Sequence, residues 1–406
     1  SYQMPKNKTL YGLPENIQFC KKCVISNQRP ITLVETKHRK EAKKETTAFD
    51  LNEVCDPCNW ASIKREKINW EERERELKEL LNKHRSNDGS YDVVVPASGG
   101  KDSIYVAHIL KYKYKMNPLT VTWAPHIRTE MGQINFDNMI GSGLDNVMAT
   151  PNSKLHRKLT KLAFLNLGHP FQPFIIGQRV IGPRVAAEKN IKLIFYGENV
   201  AEYGNRIKDN YSPLMDNKLI SAFDVNNEEL FISGVKIKDL KKQLDISSNE
   251  LEIYKSPSEK EIIEKKIEVH YMSYYRFWSQ QENFYYASEN SNFQTADERT
   301  PGTYTKSNGL DDKLESFHYY MMMIKFGMGR ATWDAAQEVR DNKITREEGV
   351  TLVNKYDTEF PEKYFQDFLD YISINKDTFF KTVDEYRSEH LWEKQSNNWK
   401  LRKPVS

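Results

Sequence analysis

The chain is short of cysteine, has no charge of one sign in excess and lacks any long apolar run, and each shortage excludes something. Its 60 basic residues stand against 57 acidic ones, a formal net charge of +3. The basic excess of a dedicated nucleic-acid binder is therefore missing. No apolar run approaches the ~18–20 residues of a membrane span. No charged-then-apolar secretory leader is visible, so a cytoplasmic location is expected. The nine histidines form no HxxxH or HExxH grouping, which argues against a catalytic metal held in that way. His126 and His318 stand alone and read as structural. No Ser–His–Asp order is recognisable, and there are no internal repeats or low-complexity tracts. What the 406 residues do hold is 12% aromatics, with 22 tyrosines, a composition that suits a binding cleft.

The four cysteines fall in two pairs, Cys20-Lys-Lys-Cys23 and Cys55-Asp-Pro-Cys58. Two CxxC knuckles in one segment read as a closed four-thiolate site for structural Zn2+. Disulfides are the competing reading, disfavoured by a reducing compartment, and a redox CxxC would need only one pair. Metal would fold a segment too small for its own core. That gives a zinc-knuckle module over 1–63, with a mixed-charge loop at Lys37–Glu45. A surface linker helix over 64–88 follows, with Trp70, Leu77, Leu80 and Leu81 near one face.

The richest stretch is Val93–Ser103, VVVPASGGKDS. A buried strand runs into a Gly-rich turn and then into the helix-compatible Ile104–Leu110. Such a turn aims backbone N–H groups and a helix N-terminus at an anion. Gly99 and Gly100 allow close approach, Ser98 and Ser103 add hydroxyls, and Lys101 adds charge. It is not the GxxxxGK[ST] loop. SGGKDS after a strand instead resembles the PP-loop of the ATP pyrophosphatases, enzymes that cleave ATP between the α- and β-phosphates.

Around this motif strands are expected at Asp92–Pro96, Leu119–Trp123, Asn146–Thr150 and Lys192–Tyr196, with helices between them. The fold class is therefore α/β, a doubly wound and mostly parallel sheet, over 89–310. A polar insertion is expected at about 209–265 and an aromatic strand at Glu268–Trp278. A region helical to the chain's end covers 311–406. Ligands should bind at the carboxyl ends of the strands.

Other segments offer candidates. After the fourth strand, Gly197-Glu198 places a carboxylate where it could hold Mg2+ or orient a substrate nitrogen. Glu198 and Glu202 would share a face if a helix started there; acids at a solvated helix N-terminus are the plainer reading. Gly302-Thr303-Tyr304-Thr305-Lys306 is a hydroxyl-rich turn with a cation, and Asp311-Asp312-Lys313 opens a helix by simple capping. The Met321–Met323 helix, closed by glycines, reads as core. Arg330 after it could meet a carboxylate or phosphate.

Taken in order, the double CxxC, SGGKDS, HPFQPFIIGQ (169–178), YGEN (196–199), AEYG (201–204), GTYTK, LDDK, IKFGMGRATWDAAQEVR (324–340) and ITREEGVTLVNKYDTEFP (344–361) resemble the N-acetyl sugar amidotransferases. These serve bacterial O-antigen, pseudaminic acid and legionaminic acid pathways. The resemblance implies ATP-dependent conversion of a sugar N-acetyl group to an acetamidino group. It implies catalytic roles for Lys101, Asp102, Glu198 and Lys306. ATP and Mg2+ would sit at Ser98, Gly99, Gly100, Lys101, Asp102, Ser103, Gly197 and Glu198. Substrate contacts would come from Glu202, Tyr203, Tyr304, Asp312 and Arg330. Ammonia would come from a partner resembling the glutaminase and cyclase subunits of imidazole glycerol phosphate synthase. Two other classes stay open, a PP-loop tRNA thiolase and a non-catalytic zinc scaffold. A thiolase usually needs cysteines beyond the two knuckles, and an iron–sulfur absorption near ~400 nm would favour it.

Overall fold

The computed structural model describes residues 8–32, 39 and 41–406. Of the expected mixed-charge loop, Lys37, His38 and Lys40 lie outside the described residues.

Four strands, β1 (Val93–Pro96), β2 (Pro118–Trp123), β3 (Asp145–Ala149) and β4 (Leu193–Tyr196), form a parallel sheet in the order β3-β2-β1-β4, with Glu268–Tyr271 outermost beside β4. Val94 pairs with both Leu119 and Ile194, so β1 is central. Its three valines are buried on both faces, as parallel strands covered by helices must be. Val93 and Val95 pack with Ile104, Leu77 and Phe195 on one face. Val94 packs with Val121, Ile181 and Val185 on the other. The chain runs outward from β1 through β2 to β3, then returns across to β4. The order therefore reverses between β1 and β4, the place where such sheets open a ligand crevice.

The C-terminal region folds against the helices Ser153–Leu167 and Gln172–Lys189 through a third core that includes Phe164, Phe317, Phe368 and Phe379. Met321 and Met323 are buried in that core.

Four expectations need correction. The linker helix does not start at residue 64: a first helix, Asp56–Glu66, runs into it, and the surface helix proper is Trp70–His84, capped by Asn69 accepting from Glu72 N, with only Leu77 and Leu81 fully buried. The aromatic strand stops at Tyr271, where Met272–Tyr275 makes a helical turn. The C-terminal region is helical to Tyr386 but ends in a hairpin, Trp392–Gln395 with Asn398–Leu401. Asp311 and Asp312 do not open a helix: Asp312 bridges to Arg128, and the helix begins at Glu315.

Candidate active site

At the carboxyl end of β1 the chain turns through Ala97–Gly100 into the helix Lys101–His108. Gly99 sits at φ +97°, and a Cβ there would lie 2.9 Å from the backbone of Phe136. Only glycine fits both constraints. A cleft of about 500 Å³ opens above this turn, within the range of small-molecule sites. Ser98, Gly100, Lys101, Asp102 and Ser103 line it from β1, and Gly197 and Glu198 from β4. The opposite wall comes from far along the chain: Asn308, Gly309, Asp311, Tyr319, Arg330 and Trp333.

A polar network ties the two walls together. Lys101 Nζ donates to Asn308 Oδ1, and Asn308 Nδ2 donates to Asp334 Oδ1 at 2.9 Å. Thr303 Oγ1 donates to Asp334 Oδ2 at 2.6 Å. Arg330 stands 3.5 Å from both Asp334 and Glu315, with its guanidinium 4.4 Å from the Tyr319 ring centre. On the loop side, Asn283 Nδ2 donates to Asp102 Oδ1 at 3.0 Å.

Three carboxyls around the cleft are held above their ordinary range. Burial first, then the facing Asp102, pushes Glu198 up to about 8, against the pull of Lys101 and a hydrogen bond from Tyr203. Burial pushes Asp311 up to about 6, with the Ser98 hydroxyl pulling the other way. Burial likewise pushes Glu315 up to about 7, opposed by Arg330. Raised carboxyls gathered in one cleft mark a place where charge is to be moved or matched.

Several candidate residues stand elsewhere. Glu202 shares no face with Glu198: the 3-10 turn Val200–Glu202, capped by Asn199, swings it away to accept from Trp60 Nε1 and Lys64 Nζ, both at 2.9 Å. Tyr203 lies behind the cleft wall, its hydroxyl accepting from Trp278 Nε1 and Gln280 Nε2. Tyr304 donates to Glu338, and Asp312 accepts from the His126 backbone and ring, both away from the cleft. Lys306 is exposed and does not line the cleft. Asn308, Asp311, Glu315 and Tyr319 escaped the sequence reading. For Asp311 the LDDK motif was signal enough; for Tyr319, inside a helix that reads as core, there was none.

The four cysteines come together. They are buried and free of disulfides, with ligand atoms all within 4.8 Å of one another, so they could hold a metal ion. Arg340 Nη1 lies 3.7 Å from Cys23 Sγ, and Arg346 Nε donates to the Cys20 and Cys23 carbonyls. One helix, Arg330–Arg340, thus runs from the cleft to the cysteine cluster. Among the described residues no helix is long and apolar enough to cross a membrane.

The chain is 31% identical over 78 residues to the uncharacterized protein MJ1599 of Methanocaldococcus jannaschii, covering 19% of this chain and 27% of that one. It thus spans about a quarter of the length of that curated relative. Among solved structures, the NH3-dependent NAD synthetase from Campylobacter jejuni, in complex with nitrate ion, aligns at 16% identity over 47% of this chain and 80% of its own, with a TM-score of 0.27. Residues 270–405 match the family described as LPS biosynthesis protein WbpG-like, C-terminal domain, and that stretch supplies the wall of the cleft opposite the Gly-rich turn.

Proposed function

We propose that the protein is an ATP-dependent amidotransferase that converts a sugar N-acetyl group to an acetamidino group in surface-glycan biosynthesis. The observation that carries this reading is the shared cleft. A Gly-rich, anion-directed turn lines one side, and residues from the stretch matching a lipopolysaccharide-biosynthesis domain line the other.

An amide carbon is a poor electrophile, so its oxygen must first become a leaving group. The acetamido oxygen attacks the α-phosphorus of ATP, the bond to the bridging oxygen of the β-phosphate breaks, and pyrophosphate leaves. Ammonia then adds to the imidate carbon, and AMP departs with the former acetyl oxygen. Ser98, Gly99, Gly100 and Ser103 cradle the phosphates with N–H groups and hydroxyls, and Lys101 offsets the charge that develops there. Magnesium, when bound, would supply further neutralisation of phosphate charge, and Asp102 and Glu198 are the carboxylates that would hold it. A Glu198 carboxylate with a raised pKa can take a proton from the entering nitrogen near neutral pH. Arg330, flanked by two acids and a tyrosine, is the group to orient the sugar.

All four cysteines lie in the one cluster, so these 406 residues offer no cysteine nucleophile for glutamine hydrolysis. On this reading ammonia is supplied by a glutaminase outside these residues. The cluster itself suits zinc. Thiolates ~2.3 Å from a tetrahedral zinc stand ~3.8 Å apart, and two of the sulfur pairs here are separated by 3.8 and 3.6 Å.

The test is pyrophosphate release from ATP with ammonium salt and a panel of N-acetylated sugars, nucleotide-linked and free. The expected result is pyrophosphate and AMP with one sugar, whose mass shows oxygen replaced by nitrogen, and acetyl 18O recovered in AMP. Turnover only with tRNA and a sulfur donor would overturn the reading in favour of a thiolase.

A further inference from the structure

A second cavity of about 280 Å³ opens off the cleft, sharing Arg179, Tyr319 and Trp333 with it. Its charged lining side chains are Arg29, Arg39, Lys44, Arg179 and Lys325, and among the described residues no aspartate or glutamate lines it. Arg29 is the telling member. It is 3% exposed, and its one side-chain hydrogen bond among the described residues runs from Nη1 to the neighbouring Pro30 carbonyl at 3.2 Å. Its buried Nε has no hydrogen-bond partner among the described residues, and its guanidinium carbon lies 5.4 Å from the Trp333 ring centre. Burial pulls its pKa down to about 10, and the nearby Arg340 cation pulls the same way. Arg179, half-buried on the helix Gln172–Lys189, makes no hydrogen bond or ion pair among the described residues.

A buried cation without a counter-ion is costly, and folds ordinarily pair it or neutralise it. Here the fold makes room for one that has no carboxylate partner among the described residues. A Cβ on Gly204 would come within 2.3 Å of Arg29 Nη1, so the glycine after Tyr203 is what admits the guanidinium. Arg29 belongs to the segment between the two cysteine knuckles, so that segment contributes a wall of this cavity as well as a metal site.

We propose that this cavity binds the anionic end of the acceptor sugar, a phosphate or a carboxylate, with Arg29 and Arg179 as the residues that read it. The inference rests on the proposed function for the identity of the acceptor. It places the neutral N-acetyl end past Trp333 in the cleft, beside the phosphate loop.

The experiment measures binding without turnover. The metal-loaded full chain is saturated with α,β-methylene-ATP, so that the phosphate loop is filled and cleavage is blocked. Melting is then followed against inorganic phosphate, acetate and chloride at constant ionic strength. A rise with phosphate above chloride assigns a phosphoryl group to the cavity; a rise with acetate alone assigns a carboxylate. Either rise should vanish in Arg179→Gln and in Arg29→Met, with anion affinity falling at least ~10-fold. Arg29→Met removes a buried charge that has no acidic partner among the described residues, so its unliganded melting temperature should hold or rise. No rise with either anion in the wild type, or an equal rise in both variants, overturns the proposal. Anion binding lost in the variants while no N-acetylated sugar yields pyrophosphate would leave this site standing and sink the amidotransferase reading instead.

Discussion

Glu198 and Glu202 lie four residues apart and belong to two differently built regions. Around Glu202 every polar partner is in place. Trp60 and Lys64 donate to its two oxygens, and Lys64 also donates to the Trp278 carbonyl at 2.9 Å. That seam is closed and joins the cysteine module to the sheet. Around Glu198 the groups face a cleft, and the carboxyl is raised by burial and by Asp102 with nothing fully answering it. A closed polar cluster holds two modules together, whereas an open one is held ready for a ligand. The difference is visible only in three dimensions, since the two acids share a segment and a residue type.

The strongest way to break the seam is through the metal site. The helix Asp56–Glu66 that carries Trp60 and Lys64 starts at the second knuckle, with Cys55 as its N-cap. Structural zinc sites contribute apparent binding energies on the order of 10 kcal/mol in small domains. Cys55→Ser or prolonged chelation should therefore give the largest stability loss of any change considered, with early proteolysis near residues 41–66. Limited digestion and melting curves check it. Unchanged melting after complete metal removal would show that the module stands without its ion.

Next in size is Lys64→Ala, which strands Glu202 as an uncompensated buried carboxylate. The expected loss is about 3–5 kcal/mol, read from urea unfolding. The Lys64→Met/Glu202→Met double variant should recover much of it, because removing both charges removes the desolvation penalty as well. A double variant no better than the single would mean that Trp60 and packing, rather than the charge pair, hold the seam.

The same contrast explains what could be read from residues alone. The phosphate turn was legible because it is continuous: strand, glycines, cation and helix follow one another, and the chemistry needs no distant partner. The cysteine cluster was legible because thiols are scarce. After residue 295 Arg330 does line the cleft, whereas in GTYTK and LDDK the right segments stood out with the wrong members. GTYTK joins the network through Thr303, while Tyr304 turns to Glu338 and Lys306 to solvent. LDDK lines the cleft with Asp311, not Asp312. In tight turns neighbouring side chains point to opposite sides, and a one-residue choice requires knowing which side is the cleft. Arg29 was beyond reach, since its importance comes from a cavity shared with Arg179, far along the chain, in which no aspartate or glutamate stands among the described residues.

Glu198→Gln sharpens the other half of the comparison. A neutral amide of the same shape keeps the wall but can neither hold a cation nor take a proton, so pyrophosphate release should fall by roughly 10²-fold or more. Stability should hold or rise, because a desolvated acid has been removed. A fall in activity matched by a fall in stability would make Glu198 a structural residue like Glu202.

The last effect, a slope with pH, is the most particular to Glu198. Its folded-state pKa, about 8, lies above the ordinary glutamate value of 4.5. Below about 4.5 the group is protonated in both states, and its contribution to stability is fully present. Between there and about 8 the unfolded chain releases the proton while the folded chain retains it. Unfolding therefore gains, and stability declines as pH rises, levelling off above about 8. Asp311 and Glu315, also raised, titrate within this interval, so the quantity to measure is the difference in unfolding free energy between wild type and Glu198→Gln. That difference should turn steadily against the wild type across the interval. Saturating magnesium with a non-cleavable ATP analogue should shrink the slope, because a cation at the carboxylate lowers the folded-state pKa toward the unfolded one. A slope indifferent to magnesium would separate Glu198 from cation binding and leave proton transfer as its role in the cleft.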